Sequence, residues 1–255
     1  MYGFTSVEKG DIEAGTLYPG LGYGENELRW GFIRKVYGIL ATQIVLTTLV
    51  SAVVVLHPPI NETLKNSPGL ALGLSLVPLI CELFDCFDTW CAVMVPMYIY
   101  QQKHPLNLIF LGLFTVFLSL SDQIKTSTLT IAGEIVLEAL ILTSAVVSSL
   151  TGYTFWAARK GKDFSYLGPV LFAGLILLIV TGFIQAFFPL GSTSVAIYGF
   201  FGALIFSAYI VYDTDNLIKR FNYDEYIWAS VVLYLDILNL FISLLQILRG
   251  MQSDG

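Results

Sequence analysis

The apolar residues of this chain fall in runs of about 20 or more, the length a helix needs to cross a bilayer core. In lipid, an unpaired backbone N–H or C=O finds no water. Such runs therefore fold as helices, which close their hydrogen bonds internally. Seven runs stand out, at about 31–56, 69–100, 105–120, 131–156, 166–188, 195–216 and 226–248. Hydrophobic residues make up 56% of the chain and charged residues 13%. A soluble domain carries roughly a quarter charged residues, so that class is excluded. The expected fold is an all-α membrane protein, a bundle of seven transmembrane helices.

Residues 1–28 have no apolar period and read as a disordered acidic tail, and 251–255 as a second short one. No basic segment precedes a short apolar run, so no cleavable signal peptide is expected. The seven-helix domain then spans 29–250. Its second run is too long for one untilted helix and too acidic in its middle, where Glu82, Asp85 and Asp88 lie. Removing Cys81 to Val95 leaves roughly one span, so this segment reads as an insertion. The alternative is that its three acids line a polar path. Cys81, Cys86 and Cys91 have neither CxxC spacing nor a neighbouring His, which argues against zinc. Asn61-Glu62-Thr63 is a glycosylation acceptor pattern in a short loop. No basic patch suits nucleic acid.

Seven spans leave the termini on opposite sides. Arg29, Arg34, Lys35, Lys103, Arg159, Lys160, Lys162, Lys219 and Arg220 then share the N-terminal side, against Lys65, Lys125 and Arg249 on the other. The positive-inside rule places the N-terminus in the cytosol.

The last two spans carry the chemistry. Asp213 lies in the sixth and Asp236 in the seventh, across the short charged turn 219–225. An ionised Asp deep in a bilayer costs roughly 2.5–3.5 kcal/mol on insertion scales, so acids placed there tend to serve function. Tyr209, Asp213, Asn216 and Arg220 share one helical face; Asp236, Asn239, Ser243 and Gln246 share another. Two carboxyls brought within a few ångströms cannot both ionise cheaply and titrate as a unit. A shared proton joins the helices, and its loss adds repulsion that opens a gap. The same oxygens suit Ca²⁺. Asp213 and Asp236 are thus the expected pH sensor and ion path. Asp215, Asn216, Asn239, Ser243 and Gln246 are further candidates for the path. The bland alternative is interhelical hydrogen bonding alone. Asp215 also suits a surface ion pair with Lys219 at i+4. Gly199, Ala203 and Ser207 form a small-residue series suited to close helix packing.

No GxSxG, Walker or HExxH pattern is present, and the chain is not read as an enzyme. The enzymatic alternative is an intramembrane aspartyl protease. A presenilin-type protease pairs YD with GxGD. Here the first acid has its YD, but the second sits in LYLDILNLF without GxGD.

YIVYDTDNLIKRFNYDEYIWASVVLYLDILNLF resembles the signature of the transmembrane BAX inhibitor motif family, in its Lifeguard branch. RKVYGILATQIVLT, IYQQKHPLNL and LTGYTFWAARKGKDFSYLGP extend the resemblance over most of 28–250, and the last is similar to plant members. The resemblance implies six helices around a central seventh, suppression of cell death, and control of a Ca²⁺ leak across endomembranes. It implies the endoplasmic reticulum or Golgi, with vacuole and plasma membrane as alternatives. The family's acid pair falls on Asp213 and Asp236; its basic latch on the second helix has no assigned counterpart here. The chain departs from the family at Cys81–Val95 and at Ser121–Ala132. The expected partners are the lipid bilayer and, through helix faces, other membrane proteins. A non-conducting scaffold binding channels or death regulators is the rival function. No cofactor is expected, with Ca²⁺ as the permeant ion.

Overall fold

The structure is a computed structural model that describes residues 16–56, 105–116, 133–188 and 191–253. Among these residues the chain forms six helices: α1 Tyr23–Leu56, α2 Leu106–Val116, α3 Gly133–Arg159, α4 Leu167–Phe187, α5 Gly191–Lys219 and α6 Tyr226–Ser253. Five of them, all but α2, are long and apolar enough to cross a membrane, so this is a multi-pass membrane protein. The second expected span, the Cys81–Val95 segment, its three acids and Asn61 lie outside the described residues.

Each helix end has a local cause. Pro105 leads into α2, its carbonyl accepting from the amides of Leu108 and Ile109. The tertiary amide of proline lacks a donor that a first turn would leave unpaired anyway. α3 stops where Gly161 takes φ +71, a left-handed conformation that costs glycine least. The amides of Lys160 and Lys162 then fold back onto the Ala157 carbonyl. Ahead of α6, Glu225 Oε2 accepts from the Asn222 amide at 2.9 Å, half of a capping box.

α6 is the axis. No residue from Tyr226 to Gly250 is exposed, and α6 packs on α1, α3 and α5. The other spans keep an apolar outer face, such as Val170, Phe172, Leu177 and Phe183 on α4 or Ile197, Phe200, Phe201 and Leu204 on α5. Those side chains suit lipid tails. α4 is peripheral and packs on α5 along one side, where Gly168, Gly174 and Gly182 lie against Tyr212, Ile205 and Tyr198. α5 changes character along its length: beyond Leu204 none of its residues is exposed until Arg220. The burial of the last helix agrees with the central position the resemblance implies.

Two boundaries differ from the sequence reading in ways that matter. α1 begins at Tyr23, not near Gly31, and residues 16–28 are not a disordered tail. Leu17 and Leu21 are buried in one core with Phe32, Ile33, Ala158, Leu217, Ile218 and Ile227. Their polar, glycine-rich neighbours hide this, since only tertiary packing supplies the apolar partners. α5 runs on to Lys219, past the expected end at Asn216, because Leu217 and Ile218 are fully buried.

Candidate functional site

α5 and α6 form a tight hairpin across residues 220–225, and its inner face carries the polar residues. Close approach at the far end depends on glycine. A Cβ at Gly202 would stand 2.6 Å from Ser243 Oγ, and one at Gly199 would stand 2.7 Å from the Ser243 carbonyl oxygen. Gly199 thus plays the packing role expected of the small-residue series. Gly202, one turn on and outside that series, is as close.

Nearer the turn, the structure brings Asp213 and Asp236 together. Both are buried, at 8% and 6% exposure. Their carboxyls are in hydrogen-bond contact. Two carboxylates are acceptors only, so a hydrogen bond between them forms only when one is protonated. Asn216 Nδ2 donates to Asp213 Oδ1 at 3.3 Å, and Asp236 Oδ2 is buried with no amide, hydroxyl or cation to donate to it. The half-buried phenol of Tyr209 lies in the field of both acids. α5 extends to Lys219, past its expected end at Asn216. Asp213 is thereby about 9 Å inside its helix, against about 15 Å for Asp236.

The other acid of the turn does different work. Asp215, 1% exposed, pairs with Lys219 at 2.6 Å, the i+4 pair suggested by the spacing. Its Oδ2 also accepts from the Phe164 amide at 3.3 Å. Lys219 reaches the Lys162 carbonyl as well, and Arg220 lies 3.7 Å from Asp163. Asp215 therefore straps the α3–α4 turn to α5, with Lys219 and the Phe164 amide as its partners in place of the acid pair. Asn239 and Ser243 turn back onto their own helix, donating to the carbonyls of Leu235 (2.9 Å) and Asn239 (2.7 Å). Gln246 keeps a buried Oε1 without a partner, beside the position of Gly199. Only Asn216, of these further candidates, touches an acid of the pair.

Sequence reading missed Arg29 as more than an orientation charge. It is 8% exposed, donates from Nη1 to the Phe221 carbonyl at 2.5 Å, and stacks over Tyr223 at 4.7 Å. Lys35 lies 3.2 Å over the Tyr226 ring. These two cations of α1 hold the α5–α6 turn. The aromatic run Phe221, Tyr223, Tyr226 was the available signal, because exposed rings beside a turn suit cations. Among the described residues no group of three His, Cys, Asp or Glu is placed to hold a metal.

The sequence profile of the family described as Inhibitor of apoptosis-promoting Bax1 matches residues 29–254. A "BI1-like protein" of Arabidopsis thaliana is 61% identical, covering 100% of this chain and 98% of that protein. That alignment runs over 268 positions for 255 residues, so the relative holds residues with no counterpart here. "Protein LIFEGUARD 4" of the same plant is 52% identical over 95% of this chain and 96% of its own length. A "Golgi anti-apoptotic protein" of Vaccinia virus (strain Lister) is 38% identical over 87% and 86%. A hairpin with paired acids, a buried last helix and a profile match from Arg29 almost to the C-terminus converge: the chain belongs to the Bax inhibitor family, among its Lifeguard members.

Proposed function

We propose that this protein is a pH-sensitive Ca²⁺ leak of an endomembrane that lowers stored Ca²⁺ and thereby restrains programmed cell death. One observation carries the reading: two buried carboxyls on adjacent spanning helices in hydrogen-bond contact. That contact exists only while a proton is shared. At lower pH the proton joins α5 to α6. At higher pH its loss places two like charges side by side in a poor dielectric, which drives the helices apart. The freed oxygens, with the Asn216 amide carbonyl nearby, are hard ligands suited to a passing Ca²⁺. Nothing in this scheme needs a nucleophile or a scissile bond, so the reading is a passive conductor and not a hydrolase. The anti-apoptotic name of the viral relative supports the cell-death role, and the Golgi in that name supports an endomembrane. The basic residues favour a cytosolic N-terminus.

The test is Ca²⁺ flux into proteoliposomes between about pH 6 and 8, a range bracketing a perturbed carboxyl pair. Wild type is expected to conduct more as pH rises. Asp213→Asn and Asp236→Asn, which cannot form the repelling pair, are expected to flatten that response. Unchanged pH dependence in both variants rejects the sensor. A folded but silent wild type rejects the leak and favours a non-conducting scaffold.

A further inference from the structure

We propose that residues 16–22 are a stopper, seated at the turn end of the bundle in series with the acid pair. The inference rests on the leak reading. This segment belongs to no spanning helix, yet Leu17 is 1% exposed, Thr16 6% and Leu21 8%. Leu17 and Leu21 share a core with Ala158 at the end of α3, Leu217 and Ile218 at the end of α5, and Ile227 at the start of α6. All four of those residues lie at the end of the bundle where the α3–α4 and α5–α6 turns meet. The segment is fastened on both sides. The Leu17 amide donates to Asn26 Oδ1 at 3.1 Å, and the Pro19 ring lies 3.4 Å from where a Cβ of Gly161 would stand. Gly20, at φ +90, makes the bend between the two leucines. Arg29 then ties the following helix to the Phe221 carbonyl.

The stopper lies where an ion would have to pass. Asp213 is six residues, about 9 Å, from the end of α5, and the buried Leu217 and Ile218 fill that last stretch. An ion leaving the acid pair toward the turns meets the apolar plug to which Leu17 contributes. Separation of the carboxyls alone therefore does not open the path; the plug must yield too. It is built to yield. Few apolar anchors hold seven ordered residues, so the gain from burial is set against a comparable loss of chain entropy. The segment precedes α1, so its release breaks no spanning helix.

Leu17→Asp places a charge in the plug and releases it. In proteoliposomes this variant is expected to raise Ca²⁺ flux several-fold at every pH, with the pH dependence of wild type retained because the acid pair is intact. Hydrogen exchange at the amides of residues 16–22 verifies release in the same preparation. Pro19→Cys with Gly161→Cys, in a background with Cys81, Cys86 and Cys91 changed to Ser, staples the segment. Cys at Gly161 carries backbone strain, so the reduced form of the same protein is the reference. Oxidation is expected to silence the flux and dithiothreitol to restore it. Equal flux in the oxidised and reduced forms overturns the stopper, as does a released Leu17→Asp with wild-type flux. If wild type conducts with pH dependence and these results are negative, the stopper alone fails. If wild type and Leu17→Asp are both folded and silent, the leak reading fails and the stopper with it.

Discussion

Asp213 and Asp215 are two residues apart on one helix and do opposite work. Asp213 meets another acid, and Asp215 meets a cation and a backbone amide. Replacing Asp215 by Asn breaks a buried ion pair and weakens the bond to the Phe164 amide. The expected cost is about 2 kcal/mol, in the range for hydrogen bonds to charged groups, read as a lower thermal midpoint in detergent. The same substitution at Asp213 is expected to cost less, because an amide still fits beside a protonated carboxyl. Outside the membrane, the Ser165 hydroxyl and amide hold the Asp163 carboxyl below its ordinary value of 3.8. A lowered carboxyl favours the folded turn above that value and loses this contribution as pH falls through the folded-state titration. Ser165→Ala is expected to return the Asp163 titration toward 3.8, as followed by carboxyl NMR shifts. The acid pair was legible because its YD and LYLD settings are distinctive, and Lys219 because i+4 spacing is local. Arg29 was not, since its partner Phe221 lies 192 residues away.

At the scale of the helix, the α5–α6 hairpin approaches closely at its far end through glycine and pairs two buried carboxyls nearer its turn. Gly202→Ala forces a methyl to 2.6 Å from Ser243 Oγ. Overpacking of this kind costs about 1–3 kcal/mol. Ser243→Ala in the same chain removes the obstructing hydroxyl and is expected to recover part of that loss, a coupling measurable by a double-mutant cycle. Gly199→Ala is expected to show no such recovery, because the atom in its way is the Ser243 backbone oxygen. Five spans were legible from apolar length alone. The start of α1 was not. Gly20, Gly22 and Gly24 break any helical period in the sequence, and the burial of Leu17 and Leu21 depends on residues up to 210 positions distant. The end of α5 was missed for a related reason: Leu217 and Ile218 sit among polar neighbours and declare themselves only through their packing.

At the scale of the molecule, burial among the described residues separates an exposed apolar shell from a buried axis. Some 39% of the α6 span is buried, against 11–22% in the other four spans. The expected seven crossings with a cytosolic N-terminus predict that a tag ahead of Met1 is digested by protease added outside sealed microsomes, while a tag after Gly255 is protected. Digestion of both tags would mean an even number of crossings. The buried axis also bears on biogenesis. α6 leaves the ribosome after α5, and from Tyr226 to Gly250 it has no exposed face. It enters the membrane with Asp236, whose partner Asp213 is already there on α5. Until the two meet, Asp236 stands in hydrocarbon at a cost of roughly 2.5–3.5 kcal/mol. Its arrival beside α5 brings Asp236 to its buried partner and relieves that cost. A chain arrested before residue 236 lacks the partner of Asp213, and it would leave that acid uncovered for quality control to find.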